Sequence, residues 1–284
     1  MALAQFFFAG MNVCTRLGAR TLPWSEIAAA RFLVGLFVAL GLAAVRGSSL
    51  RITDRPGTWR RSIFGALSAV GTFYALGSTG VGIGDAATLS ATAPIFVALL
   101  SAPLLGERVG RHVSLAVALA FTGVVAVVRP SFATAAPVAA VATIGAFFYA
   151  LAMIWLRKIG PGETHEAVVV HFSSVGLVLM LLLSLPVWQW PDGRGGLFLL
   201  GAGLGGGGAQ LAMTRAYSLD RAAPVSAVSN LGIVFTHLLA IPIFAERPAR
   251  WQIAGAILVI TATALLTAGR PTQRGADDGH STAR

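Results

Sequence analysis

One cysteine, Cys14, stands among 284 residues, so no intramolecular disulfide and no cysteine-pair metal site can form. Charge is scarce too: Asp, Glu, Lys and Arg make up 11% of the chain against about 25% in soluble domains. No Gly-x-x-x-x-Gly-Lys-Ser/Thr phosphate loop occurs, which excludes self-powering by ATP. No metal and no cofactor is expected. Hydrophobic residues make up 56% of the chain, more apolar surface than one soluble core can hide, and lipid must solvate it.

Apolar runs of roughly 16 to 24 residues, enough to cross a hydrocarbon layer of about 30 Å, fill the chain. They cover residues 1–19, 27–45, 63–81, 86–105, 113–128, 135–156, 167–188, 197–219, 222–245 and 251–268. The joints between them are too short for a soluble domain, so any chemistry sits inside the bundle. The chain also repeats itself at an offset of about 140 residues. Phe6-Phe7-Phe8-Ala9 with Arg16 is echoed by Phe147-Phe148-Tyr149-Ala150 with Arg157. Glu26 and Arg31-Phe32 are echoed by Glu166 and His171-Phe172, and Pro103 to Arg108 by Pro242 to Arg247. A repeat with an odd number of spans inserts upside down relative to its partner. The expectation is an all-α integral membrane protein of ten transmembrane helices, arranged as two inverted five-helix repeats over 1–130 and 131–270. A disordered cytoplasmic tail is expected over 271–284.

Orientation follows from the basic residues of the loops. With the N-terminus inside, the loops and tail on the inner side carry 14 Lys and Arg and the outer loops 6, with Arg31 inside a helix. The inner group includes Arg46, Arg51, Arg55, Arg60 and Arg61. Both termini are therefore expected in the cytoplasm of a bacterium, the chain lying in its inner (plasma) membrane. The net charge of +10 is explained by anchoring to the inner leaflet, and no nucleic-acid partner is needed. The first segment has no basic stretch before it and carries Asn12 and Arg16, so it reads as a retained helix and not a cleaved signal. Trp24, Trp188, Trp190 and Trp251 fall at outer helix ends, where they read as interfacial anchors.

Polar side chains in a bilayer are costly unless they face the bundle interior or a wet cavity. Gln5, Asn12 and Arg16 share one face of the first helix. Asp85, Thr88 and Thr92 line the fourth, Gln210, Thr214 and Tyr217 the eighth, and Ser226, Asn230 and His237 the ninth. Ser68, Thr72 and Thr79 mark the third. Such one-sided stripes in both repeats suit a central pathway. The candidate cargo-binding groups are Asn12, Thr88, Thr92, Gln210 and Asn230, with Tyr149 as a stacking surface. His171, His237 and Arg31 are the candidates for proton coupling. Each has a structural reading: Ser and Thr bond their own helix backbone, and Arg31 snorkels outward or pairs with Glu26. Glu107 and Glu246 read as caps of the helices that follow them. The glycine run 201–208 contains a formal Gly-x-Gly-x-x-Gly, but no strand precedes it. Close helix packing accounts for it, and a homodimer contact or packing within one chain would use it equally well. Gly82-Ile83-Gly84-Asp85 resembles an intramembrane aspartyl protease signature, yet no second aspartate is placed to share a site.

The stretch from Phe73-Tyr74-Ala75-Leu76 through Thr92-Ala93-Pro94-Ile95-Phe96 and Leu104-Leu105-Gly106-Glu107-Arg108-Val109 to Val128-Arg129-Pro130 resembles the EamA family of the drug/metabolite transporter superfamily. Arg31-Phe32 fits that family's second-helix arginine, and the likeness leans toward the S-adenosylmethionine and riboflavin carriers. The resemblance implies movement of a small organic metabolite, amino-acid-like, riboflavin-like or S-adenosylmethionine-like, through a central cavity, often in exchange for protons or another solute. A membrane-embedded enzyme subunit and a passive channel are the competing readings. In the second repeat Ile233 replaces Pro94 and Ala245 replaces Gly106, so the ninth helix is expected to bend less than the fourth.

Overall fold

The computed structural model describes residues 1–77, 92–107, 110–128, 136–244 and 249–268. Among the described residues each of the ten apolar segments carries a helix, and the ninth carries two. In chain order they are α1 (Ala2–Gly18), α2 (Trp24–Arg46), α3 (Arg55–Gly77), α4 (Ala93–Leu105), α5 (Arg111–Val128) and α6 (Ala136–Ile159). There follow α7 (His165–Ser184), α8 (Gly193–Leu219), α9 (Ala222–Val228), α10 (Leu231–Phe244) and α11 (Arg250–Ala268). Among the described residues five helical stretches have the length and composition to cross a membrane, and shorter apolar helices lie at 93–105, 111–126 and 253–262. Leu3, Phe37, Val45, Leu182, Leu197 and other large apolar side chains point outward, as a lipid-solvated surface requires.

Packing follows the repeat, with α1–α5 answered by α6, α7, α8, α9–α10 and α11. α1 packs on α8 and α10, and correspondingly α6 packs on α3 and α4. α2 packs on its own counterpart α7, and α5 on its counterpart α11. The strongest contacts therefore run between the halves and not within them. Phe32 and Phe172, which occupy the same place in the two repeats, meet edge to face with ring centroids 5.2 Å apart.

Glycine makes these approaches close, since lipid offers no hydrophobic drive to join helices and packing must supply it. A Cβ on Gly71 of α3 would lie 2.9 Å from the Gly145 Cα of α6. The run in α8 serves two neighbours at once. Gly201, Gly205 and Gly208 lie on Cys14, the Met11 backbone and Phe7 of α1, while Gly203, Gly206 and Gly207 lie on Val34, Arg31 and Gly35 of α2. Packing within the chain thus accounts for the run.

Two expectations change. The ninth segment is not one continuous helix. It is interrupted at Ser229–Asn230, where Ser229 and Asn230 donate to carbonyls only three residues back and Ser229 Oγ bonds the Ser226 carbonyl at 2.5 Å. This tight turn breaks the α-helical ladder without help from a missing N–H. The third segment begins earlier than its apolar run, at Arg55, which draws Arg55, Arg60 and Arg61 out of the loop and into α3.

Candidate functional site

The polar interior centres on the crossing of α2, α7 and α8. Arg31 lies within α2 with its side chain between Gly206 and the aromatic pair, 7% exposed. Its Nη2 donates to Gln210 Oε1 of α8 at 3.5 Å, and its guanidinium carbon sits 4.5 Å from the Phe32 ring centroid and 5.8 Å from that of Phe172. Together with Gly35, Ser173 and Gly207 these side chains line a crevice too narrow to admit water. The expected ion pair with Glu26 is absent. Five residues at 3.6 per turn place the two side chains about 140° apart on the helix. Glu26 instead accepts from the Gln189 backbone N–H at 3.0 Å, at the far end of the bundle.

A second arginine lies against Phe172. Arg61 is 1% exposed, the largest side chain buried so completely, and its guanidinium carbon sits 4.1 Å above the Phe172 ring. It passes over Gly65, where a Cβ would collide with both Nη1 and the Phe172 ring. Tyr149, Tyr217 and Arg31 are within its electrostatic reach. Sequence reasoning counted Arg61 as a loop residue. The signal was present all the same: Arg61, Gly65, Ser68 and Thr72 follow one another at spacings of 4, 3 and 4, so the polar face of the third helix extends through Arg61.

The other expected residues divide among several places. Gln210 joins Arg31. Tyr149 joins the surroundings of Arg61 and donates its hydroxyl to Met213 Sδ at 3.4 Å. Asn12 reaches a different neighbour, donating to Thr236 Oγ1 of α10 at 3.5 Å, and Gln5 of the same face lies against Gly232. Arg16, the third member of that stripe, is exposed. Asn230 is buried at the break between α9 and α10, and Thr92 occupies the turn before α4. His237 bonds its own helix, Nδ1 to the Ile233 carbonyl at 2.9 Å. His171 instead faces α3, with Nδ1 2.8 Å from Ser62 Oγ and its ring edge-on to Trp59. Thr88, Asp85 and Glu246 lie outside the described residues.

One end of the bundle is tied across the repeats. Arg157 of α6 pairs with Glu107 at 3.0 Å and donates to the Ser218 carbonyl, and Glu107 accepts the Ala222 N–H at the start of α9. Glu107 therefore caps α9, not the helix that follows it in sequence. Arg46 pairs with Glu166 at 3.0 Å, and the backbone N–H groups of Thr53 and Asp54 donate to Glu163. These are the connections grouped as inner by charge, and they share one end.

Among the described residues no group of His, Cys, Asp and Glu could hold a metal ion. The profile of the EamA-like transporter family matches residues 1–129 and 137–268. The chain is 30% identical over 275 residues to a pseudopaline exporter of Pseudomonas aeruginosa, covering 93% of each chain. It is 26% identical over 254 residues to a riboflavin transporter of Vibrio cholerae, 87% of this chain and 83% of that one. An S-adenosylmethionine uptake transporter of Rickettsia felis is 24% identical over 239 residues, 84% and 81% of the two chains. A crystal structure superposes with a TM-score of 0.78 at 19% identity, covering 93% of this chain and 95% of that one, which establishes a shared fold. With two family matches spanning nearly the whole chain, this protein belongs to the EamA-like transporter family and is a multi-pass membrane transporter.

Proposed function

We propose that the protein is an alternating-access carrier of a small organic metabolite in a bacterial inner membrane, with both termini in the cytoplasm. The observation that carries this reading is the interruption at Ser229–Asn230, in register with the turn at Thr92 before α4. Discontinuous helices expose backbone and side-chain polar groups where cargo binds. Asn230, Thr92, Gln210 and Asn12 are the hydrogen-bonding groups, with Tyr149 as a stacking surface, and Thr88 precedes Thr92 by four residues in sequence. Pseudopaline, riboflavin and S-adenosylmethionine, the cargoes named for three relatives, support an organic metabolite as the substrate class. Energy comes from a gradient or from exchange, since no phosphate loop is present.

Counterflow in proteoliposomes tests this, with vesicles preloaded in turn with amino acids, riboflavin or S-adenosylmethionine, with and without a pH gradient. Saturable exchange of one compound is the expected result. Conductance without exchange would replace the carrier with a channel.

A further inference from the structure

Arg31 and Arg61 are two cations inside a membrane protein, 7% and 1% exposed, and neither meets a carboxylate among the described residues. Apart from the His171 imidazole, which lies within electrostatic reach of Arg61, the groups around them are neutral: Gln210, Ser173, the Phe32 and Phe172 rings, Tyr149 and Tyr217. The buried polar atoms left without partners here share one property. Arg31 Nε, Arg61 Nε and Nη1, Gln210 Nε2 and, further along, Asn230 Nδ2 can only donate hydrogen bonds. The remaining unpartnered atoms in the same region, on Thr58, Thr214, Tyr217 and Ser226, are hydroxyls that donate or accept as needed. The unpartnered acceptor Glu26 Oε1 lies at the start of α2, on another face from Arg31.

Burying one guanidinium without a counter-charge is expensive, and aromatic faces return only part of that cost. Two such groups near one phenylalanine ring, in a surround of unmatched donors, lack one thing: an anion rich in acceptors. Arginine presents its N–H groups in the planar fork that fits a carboxylate. We propose that Arg31 and Arg61 form an anion site for the cargo, and that the transported metabolite carries a carboxylate which docks between them beside Phe172, with Gln210 Nε2 as a further donor. This rests on the carrier reading and narrows it. Amino-acid-like and S-adenosylmethionine-like compounds, which bear a carboxylate, fit the site, and riboflavin, which bears none, does not.

The test compares wild type with Arg31→Met, Arg61→Met and Arg61→Lys in the same vesicles, offering glutamate and S-adenosylmethionine against their carboxyl methyl esters and riboflavin. Exchange of a carboxylate compound is expected to fall at least about 30-fold in each Met variant, as truncating one partner of a buried charged contact does elsewhere. Discrimination against the ester should vanish with it. Arg61→Lys should keep more activity than Arg61→Met. The unfolding midpoint of the unliganded Met variants should not drop, because a structural arginine loses stability on removal whereas an uncompensated one does not. Carboxylate exchange at the wild-type rate in both Met variants, or riboflavin exchange untouched by them, would overturn the anion site while leaving the carrier intact. If folded wild type exchanges nothing, the carrier reading falls. The site is then judged by thermal stabilisation of the detergent-solubilised protein with glutamate and S-adenosylmethionine. Stabilisation lost in the Met variants sustains it, and its absence in wild type overturns it. Equal stabilisation by chloride or phosphate alone would mark an inorganic anion only and overturn the assignment to cargo.

Discussion

Replacing Glu107 with alanine removes two partners at once, the Arg157 guanidinium at 3.0 Å and the Ala222 N–H at 3.1 Å. The side chains of Arg157 and Glu107 are 27% and 14% exposed, so water screens the pair only in part. We place the ion pair above the fully exposed range, at about 1.5 kcal/mol, and the lost helix cap at about 1 kcal/mol. Glu107→Ala should therefore destabilise this conformation by about 2.5 kcal/mol. Arg157→Ala should cost about 2 kcal/mol, since it also loses the Ser218 carbonyl. Because the pair is shared, the double variant should fall short of the two losses combined by about 1.5 kcal/mol. Unfolding in mixed detergent micelles, followed by circular dichroism for all four proteins, measures this cycle. Losses that add to within about 0.4 kcal/mol would show that the contact carries no coupling and refute the reasoning. A Glu107→Gln variant separates charge from capping, as its amide oxygen can still accept from Ala222.

Gly71→Val should prevent the close approach of α3 to α6, costing about 3 kcal/mol or abolishing the folded protein, because its Cβ meets backbone on the opposite helix. Gly10→Ala, with nothing within 4 Å of the new Cβ, is the control and should be neutral or stabilising by up to about 1 kcal/mol. Monodisperse yield and unfolding midpoint report both. Of the two histidines, His171→Gln should alter the pH dependence of exchange and His237→Gln should not. His171 faces Ser62 and Trp59 of α3 with Arg61 in electrostatic reach, whereas the His237 ring is committed to its own backbone. Unchanged pH profiles in both variants would remove these two histidines from the coupling.

The fold was legible because lipid imposes one rule on long stretches of sequence. Segment number, repeat anchors such as Pro103 and Pro242, and the grouping of loops at one end all follow from length, composition and offset. Side-chain placement was less so. Arg31 was singled out as a charge within a span, but its partner was chosen by nearness in sequence, and helical rotation sends it to Gln210 instead. Arg61 was overlooked because hydropathy ends a helix where apolar residues end, while α3 continues for two more turns through Trp59, Arg60 and Arg61. The break at Asn230 has no proline to announce it, and the nearest glycine, Gly232, lies past the break. It rests on Ser229 closing a short turn, a preference too weak to outvote an apolar run. Glu107 was read correctly as a cap and assigned the wrong helix, since only the tertiary structure brings the start of α9 to it.

That each half packs on the other has a consequence for how the chain is made. The groove that receives α1 is built largely by α8, which ends at Leu219, so α1 is without it until about three quarters of the chain has left the ribosome. During that interval Gln5 and Asn12 are without Gly232 and Thr236, the neighbours they meet in the finished bundle. The apolar outer face of α1 suits that wait, and its polar stripe makes it brief by favouring capture as soon as α10 arrives.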